Sequence, residues 1–553
     1  MLSGQTDMSR EGYILDRNLE SFNRQPELEE HLAALAAKGL VRSPFRKMVV
    51  DLAQGRKELT GGMIFAVALA MAERWRRTIP DERVGVVFPA GLGGILTNLA
   101  LSLLDKTPVN LNFTSGTYAN ERCLEIGGVR TVISAAPVKE KVPDFPWPEN
   151  TIDLVQERTH IDKKQVLKRL VLISLLPTRT LLKLFKVPRK GGNREAGLLF
   201  SSGSTGLPKG VPLSHRNVIA NCLQIRDCQL LNRDQILLAC LPTFHSFGFT
   251  ATLWYPLMTG LKCVTLPSPL ETRKIAEAIE AEKVTVMMGT PTFLRPYFKR
   301  AEASQLASLK FVVGGAEKTP PGFAERWEST FGSRYLEGYG LTETSPVVSV
   351  NLPEIPGQPV QIRAGSVGRL LNGMKARVSK PSTGEILPLN ERGILELKGA
   401  NVFRGYLHDR SATEKVFRDG WFVTGDLARI DPDGYLFIEG RMSRFSKLGG
   451  EMVPHGKLEQ VIAECFHLAD AESPLVAVTG VSDEVKGEAI VLLSAVEIKH
   501  VVLRERLLKE GIPNLWIPRI VVRVDSIPSL ASGKLDLSAL NELAARKAPS
   551  QRA

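Results

Sequence analysis

Residues 198–215 read LLFSSGSTGLPKGVPLSH. The apolar run 197–200 stops abruptly at Ser201, Ser202, Gly203, Ser204, Thr205 and Gly206, with Lys209 three positions on and Gly210 after it. A short apolar run of this kind reads as a buried strand. Glycines beyond it let the backbone turn tightly and bring N–H groups close to an anion, hydroxyls add donors, and a lysine adds a point charge. The stretch therefore predicts a strand that runs into a nucleotide-phosphate cradle. A Walker loop is excluded, because G-x-x-x-x-G-K-[ST] needs lysine directly after the second glycine, and here Leu207 and Pro208 intervene. A bare glycine–serine run would read as a flexible surface loop, so the reading needs support from elsewhere in the chain.

At 553 residues the chain exceeds what one hydrophobic core usually serves, and at least two domains are expected. With 43% hydrophobic and 24% charged residues it has the composition of an ordinary soluble globular protein. It shows no solenoid-period repeat and no low-complexity tract. The opening MLSGQTDMSREGY lacks the basic-then-apolar layout of a signal peptide. The uncharged stretch 86–104 contains Pro89, Gly91, Gly93, Gly94 and Asn98, which suits a strand, a turn and a buried helix better than a membrane span. Six cysteines without a C-x-x-C pair predict reduced core thiols in a cytoplasmic protein, not a disulfide framework or zinc site.

The net charge of +12 fits an acidic partner: nucleic acid, an anionic membrane surface or an acidic carrier protein. Residues 161–190 concentrate it, with nine Lys or Arg against the single acid Asp162, interleaved with Leu167, Leu170, Val171 and 173–176. This reads as a basic amphipathic helix pair that docks a partner or lies peripherally on the inner face of a membrane, or equally as a solvated basic surface. No zinc-finger spacing, RNA-binding aromatic signature or basic-plus-heptad region is present, so no nucleic-acid partner is expected.

Strand-like apolar runs occur at 83–88, 131–134, 198–200, 236–241, 263–266, 284–288 and 309–313, with helix-like stretches such as 63–77 and 271–283 between them. That alternation predicts an α/β architecture of parallel sheets with helices on both faces. From about 350 the texture changes to short strands and turns, which predicts a small β-rich subdomain to about 440. The roughly 110 residues that follow suffice for a small mixed domain. The expected division is 1–440 and 441–553, with the boundary near 440–444.

Four further strings support a nucleotide. In Tyr339-Gly-Leu-Thr342-Glu343 the ring can stack on a flat base, the hydroxyl can bond a phosphate oxygen and the carboxylate can hold Mg2+. In 421–426, WFVTGD, Asp426 offers two acceptor oxygens that suit the two hydroxyls of a ribose. Arg441, fifteen positions on, can reach the same sugar. In 528–534, PSLASGK, Lys534 follows a Ser-Gly turn that a mobile loop can carry. Alone, each string reads as an ordinary turn, cap or solvated lysine.

Together and in this order the strings resemble the adenylate-forming superfamily of acyl-CoA synthetases, luciferases and peptide-synthetase adenylation domains, over nearly the whole chain. Within it, NLNFTSGTYAN (110–120), GRLLNGMKAR (368–377) and RFSKLGGEMVP (444–454) resemble the acyl-[acyl-carrier-protein] synthetase part of 2-acylglycerophosphoethanolamine acyltransferase. No H-x-x-x-x-D string occurs, so a synthetase without the acyltransferase half is expected. The resemblance implies a large N-terminal AMP-binding domain and a small mobile C-terminal domain. It implies a carboxylate attacking the α-phosphate of ATP, then a thiol attacking the acyl-adenylate, in a fatty acid–carrier-protein or fatty acid–coenzyme A ligase. It places Ser201 to Lys209 on the β- and γ-phosphates, Thr342 on the α-phosphate and Glu343 on Mg2+. Gly314, Gly315, Ala316 and Tyr339 line the adenine site, and Asp426 and Arg441 hold the ribose. Lys534 bridges carboxylate and α-phosphate, then leaves as the C-terminal domain rotates. The hinge departs from the usual Gly-Arg-x-Lys-Asp: Gly440-Arg441-Met442-Ser443-Arg444 puts arginine where most relatives have aspartate.

The string 241–248, LPTFHSFG, matches the acyl-binding motif of the fatty and aryl branches and makes Phe244, His245 and Phe247 acyl-site candidates. No acid lies between Asp234 and Glu271, so a buried substrate ammonium would lack a partner. His245 reads either as a gate of the acyl channel or as a satisfied core histidine. Gly289, in VMMGTP (286–291), keeps space open for a chain. A degenerate, non-catalytic nucleotide-binding protein is the remaining reading, and the joint presence of Lys209, Glu343, Asp426, Arg441 and Lys534 stands against it.

Overall fold

Runs of apolar residues without alternation belong to strands covered on both faces, and each of the seven such runs carries one. In the computed structural model of the chain, which describes residues 7–9, 12–202, 208–354, 361–448, 451–468, 471, 473–483, 487–529 and 535–547, these strands fall in two sheets. The first has six strands in the order Pro208–Ser214, Glu195–Ser202, Thr107–Asn110, Arg83–Val86, Thr131–Ser134 and Asn150–Asp153, parallel except for the antiparallel first strand. The second has nine strands. Its parallel centre runs Arg334–Gly340, Phe311–Gly314, Val286–Gly289, Ile236–Ala239, Lys262–Thr265, Lys47–Asp51.

The two-residue period of a strand explains how the nine-stranded sheet is covered. Val49, Leu237, Cys263, Val286 and Phe311 enter one hydrophobic core, and their neighbours Val50, Leu238, Val264, Met287 and Val312 enter another on the opposite face. The helices Gly61–Thr78 and Thr272–Glu282 occupy the expected positions. Thr60 starts the first of them, its hydroxyl accepting from Met63 N at 3.3 Å. The strand expected over 236–241 ends at Ala239, two residues before the Leu241-Pro242 pair, and the glycine of 241–248 opens a π-helical turn over Gly248–Trp254. Five cysteines are buried and all six are free; burial pushes Cys123, Cys228, Cys240 and Cys263 up to about 12.

The β-rich texture after 350 forms an antiparallel sheet of Met374–Ser379, Gly393–Gly399, Trp421–Ile430, Phe417–Arg418 and Leu436–Arg441. The N-terminal strand Gly12–Asp16 adds to its edge beside Met374–Ser379, a pairing across some 360 positions that no local pattern announces. Glu396 is fully buried in this sheet, where it accepts from Arg377 Nε at 2.7 Å, Ser379 Oγ at 2.7 Å and Arg418 Nη1 at 3.1 Å. Beyond Arg441 the chain builds a hairpin, Phe445–Leu448 with Glu451–Pro454, and a three-stranded sheet with its own hydrophobic cores. Arg444 belongs to this part: its guanidinium bonds Glu459 and donates to Val478 O at 3.0 Å, while Val478 N donates to Glu459 at 2.7 Å.

Candidate functional site

Parallel strands bring their C-terminal ends to one edge, and the loops leaving that edge carry most of the predicted site residues. Ser201 and Ser202 end the strand Glu195–Ser202; Lys209 is the second residue of the antiparallel strand beside it, opposite Ser201 in register. Gly203, Ser204, Thr205, Gly206 and Lys534 lie outside the described residues. Gly289 and Gly314 end adjacent parallel strands and are register partners, and Gly315 N donates to Gly289 O at 3.1 Å. Ala316 adopts φ of +66°, turning the chain away from the sheet. A Cβ on Gly314 would sit 2.0 Å from Tyr335 Oη, so glycine is required there by close approach. A Cβ on Gly315 would lie 3.4 Å from Gly338 O and 3.9 Å from Phe247, which puts an adenine-site candidate next to an acyl-site candidate. Phe244 is buried edge-on against Phe113, ring centroids 5.4 Å apart, and stands 4.8 Å from the ring of His245. At Gly289 a Cβ would meet Leu294 at 3.5 Å, ordinary van der Waals contact, so close approach does not itself demand glycine there.

Tyr339 to Glu343 is the centre of the arrangement. At one end the Tyr339 hydroxyl donates to Asp426, and Arg441 Nε donates to the other carboxylate oxygen at 3.0 Å. Asp426 and Arg441 face one another across antiparallel strands. Asp426 is only 2% exposed. Burial first, and then the Asp426 charge, holds the Tyr339 phenol far above its usual range. Asp426 likewise raises the Arg441 guanidinium. At the other end, Thr342 and Glu343 form a 3-10 turn. Glu343 accepts from the Tyr406 hydroxyl at 2.9 Å, and the Lys209 ammonium stands 4.9 Å above the Tyr406 ring. Main-chain bonds join the same pieces, with Phe403 N donating to Glu343 O at 2.8 Å and Leu407 N to Gly210 O at 2.9 Å. Oxygen donors, one of them an ionisable carboxylate beside a cation, form a set that suits a hard divalent ion and phosphate together.

Sequence reasoning missed Tyr406 and a network of buried amides that holds these loops. Asn217, Asn221 and Gln224 lie on the helix His215–Asp227, which follows the Lys209 strand and starts with a Ser214–Asn217 capping box. Asn217 donates to Ala400 O at 2.8 Å and Val402 O at 2.9 Å. Asn221 takes both groups of Val347, donating to its O at 2.7 Å and accepting from its N at 3.0 Å. Gln224 reaches Asn401, which donates to Thr344 O at 2.8 Å. A polar residue on a helix carries no signal of its partner more than a hundred positions away; only the clustering of Asn and Gln on one helix face hints at it.

Among the described residues, His31, Asp105 and His215 place ligand atoms close enough for an ion. Their bonding opposes that use. His31 Nδ1 accepts from Ala33 N at 3.1 Å and His215 Nδ1 from Leu32 N at 3.2 Å, so each neutral ring carries its proton on Nε2. The pair caps the helix Leu32–Val41.

Residues 42–407 match the AMP-binding enzyme family, and the chain belongs to it. It is 29% identical over 357 residues to luciferin 4-monooxygenase of Photuris pensylvanica, covering 63% of each chain. It is 30% identical over 359 residues to a long-chain-fatty-acid–CoA ligase of Bacillus subtilis, covering 63% of this chain and 62% of that one. The matches thus span less than two thirds of these curated relatives. In fold it is similar to O-succinylbenzoate coenzyme A synthetase of Bacillus subtilis solved with ATP and magnesium, at TM-score 0.72 and 22% identity over 93% of this chain and 99% of that one. The adenylate-forming fold, a large N-terminal α/β domain with a smaller C-terminal domain, is thereby established. No helix among the described residues is long and apolar enough to cross a membrane.

Proposed function

We propose that the chain activates a fatty acid with ATP through an acyl-adenylate and passes the acyl group to the phosphopantetheine thiol of an acyl-carrier protein. In the first step a carboxylate oxygen bonds the α-phosphorus, the bond to the β-phosphate breaks and pyrophosphate leaves. In the second the thiol bonds the acyl carbon, loses its proton and AMP leaves. The observation that carries this reading is the Tyr339–Glu343 segment, which joins a sugar-type acceptor, Asp426 with Arg441, to Glu343, whose partner Tyr406 lies beneath the Lys209 ammonium. Asp426 would accept from the ribose hydroxyls, with Tyr339 and Arg441 fixing its orientation. Gly314, Gly315 and Ala316 would flank the base. Ser201, Ser202 and Lys209 would bind the outer phosphates and Thr342 the α-phosphate. Glu343 would hold Mg2+, which when bound neutralises phosphate charge. Lys534 would bridge the carboxylate and the α-phosphate.

The acyl side rests on the neutral wall of Phe244, Phe247 and Gly289 and on the absence of an acid between Asp234 and Glu271. Coenzyme A is the second candidate acceptor, favoured by the name of the Bacillus subtilis fatty-acid relative. The test offers palmitate and Mg-ATP with holo acyl-carrier protein and coenzyme A in separate reactions. Acyl-carrier-protein product alone is expected. Coenzyme A product alone would replace the acceptor, and no product with either across several chain lengths would refute the fatty-acid reading.

A further inference from the structure

Residues 161–190 form two helices, Lys163–Leu175 and Thr178–Leu184. The first packs on Gly61–Thr78 through Val166 and Ile173, which are buried, and Arg169, which pairs with Glu73. Its opposite face is unusual. Leu167, Val171 and Leu175 are 61%, 50% and 75% exposed, spaced four residues apart so that they form one outward ridge. At about 100° per residue, Lys164 and Lys168 share that face with Val171 and Leu175. Leu184 on the second helix is also exposed, beside exposed Lys183 and Lys186. The loop over 42–47 abuts the same helix, since Gly62 approaches both Pro44 O and Leu170 Cδ1, and it carries the exposed Phe45 between Arg42 and Lys47.

The charges on this face do not serve the fold. Lys163 and Lys164 stand in the first turn of the helix, where the helix dipole disfavours cations, and no base stands in its last turn. Among the described residues, none of Lys163, Lys164, Lys168, Lys183 and Lys186 makes an ion pair, and Asp162 is the single acid of the segment. Outward apolar side chains among unpaired cations are the arrangement of a helix lying in a bilayer interface, with its apolar ridge among acyl chains and its lysines at anionic headgroups. A ridge that stands this far into solvent offers no groove to a protein partner, which favours a bilayer over an acidic protein. We infer that the 163–184 helix pair, with the Phe45 loop, docks the protein on an anionic phospholipid surface without spanning it. This does not depend on the ligase reading.

Co-sedimentation with phosphatidylglycerol–phosphatidylcholine vesicles and with pure phosphatidylcholine vesicles tests it on the full chain. Two variants are compared: Leu167→Gln, Val171→Gln, Leu175→Gln, and Lys163→Glu, Lys164→Glu, Lys168→Glu. All six positions are exposed, and acids at the first turn favour the helix, so thermal melting should match wild type. The wild type should partition to the anionic vesicles only, and the lysine variant should lose roughly tenfold or more of that partitioning. The apolar variant should lose binding even at low salt. Equal partitioning of all three proteins would overturn the inference. So would a wild type that ignores both vesicle types while holo acyl-carrier protein binds it and not the lysine variant, which would make this face a protein dock.

Discussion

At the scale of single residues, the proposed chemistry rests on a few side chains whose orientation is set by neighbours. Glu343 is held by one hydroxyl, that of Tyr406, and by the peptide bond to a turn stitched to Phe403. Tyr406→Phe should lower adenylation by roughly tenfold, because a hydrogen bond to a charged group is worth about 1.5–3 kcal/mol, with melting unchanged. Glu343→Gln should cost at least about a hundredfold in adenylation. If its rate equals wild type, the metal-holding role is wrong. Lys534→Ala should lose adenylation while keeping most ATP affinity; an unchanged rate would refute the bridging role. The hydroxyl–glycine run, Asp426 and Glu343 were visible in sequence because each sits in a short local string. Tyr406 was not, because its contact with Glu343 spans 63 positions and nothing around it marks a turn of interest.

At the scale of elements, the parallel strands were legible because both faces of each are covered, which leaves unbroken apolar runs such as FVVG (311–314). The pairing of Gly12–Asp16 with Met374–Ser379 and the buried amides were hidden because they are long-range contacts. Asn221→Leu should destabilise by about 1–3 kcal/mol, since the Val347 N–H loses its side-chain acceptor and the Val347 carbonyl keeps only the 3.3 Å bond from Asn401. Thermal melting measures the loss, and an unchanged midpoint would show the network to be dispensable. The arginine at the hinge also finds its explanation here. Arg444 is tied to Glu459 and Val478, so it is part of the C-terminal fold rather than a free pivot. Burial already pushes the Glu459 carboxyl up, against the pull of Arg444. Arg444→Ala should therefore loosen that domain, seen as faster amide exchange in Val476–Asp483, while leaving exchange in Phe311–Gly314 as it was.

At the scale of the whole molecule, three buried imidazoles link stability to pH. Burial pushes His31 down to about 4, against the pull of Asp105, His215 to about 2 and His455 to about 3. All three folded values lie below the ordinary 6.5, so the unfolded chain takes up protons first. Their contribution is complete above about pH 6.5 and is lost as pH falls toward 4, at about 1.4 kcal/mol per pH unit for each group. Denaturant midpoints should be level from pH 8 to 7 and fall from pH 6 to 4, and His215→Gln should flatten the slope. The central claim, however, is that one site joins ATP to a carboxylate before any thiol is present. The most direct measurement is exchange of labelled pyrophosphate into ATP with palmitate and Mg2+, without acceptor. Exchange that requires the fatty acid and is lost in Glu343→Gln is the predicted result. No exchange with any carboxylic acid, from a protein that binds ATP, would contradict the account and leave a nucleotide-binding fold without the adenylating step.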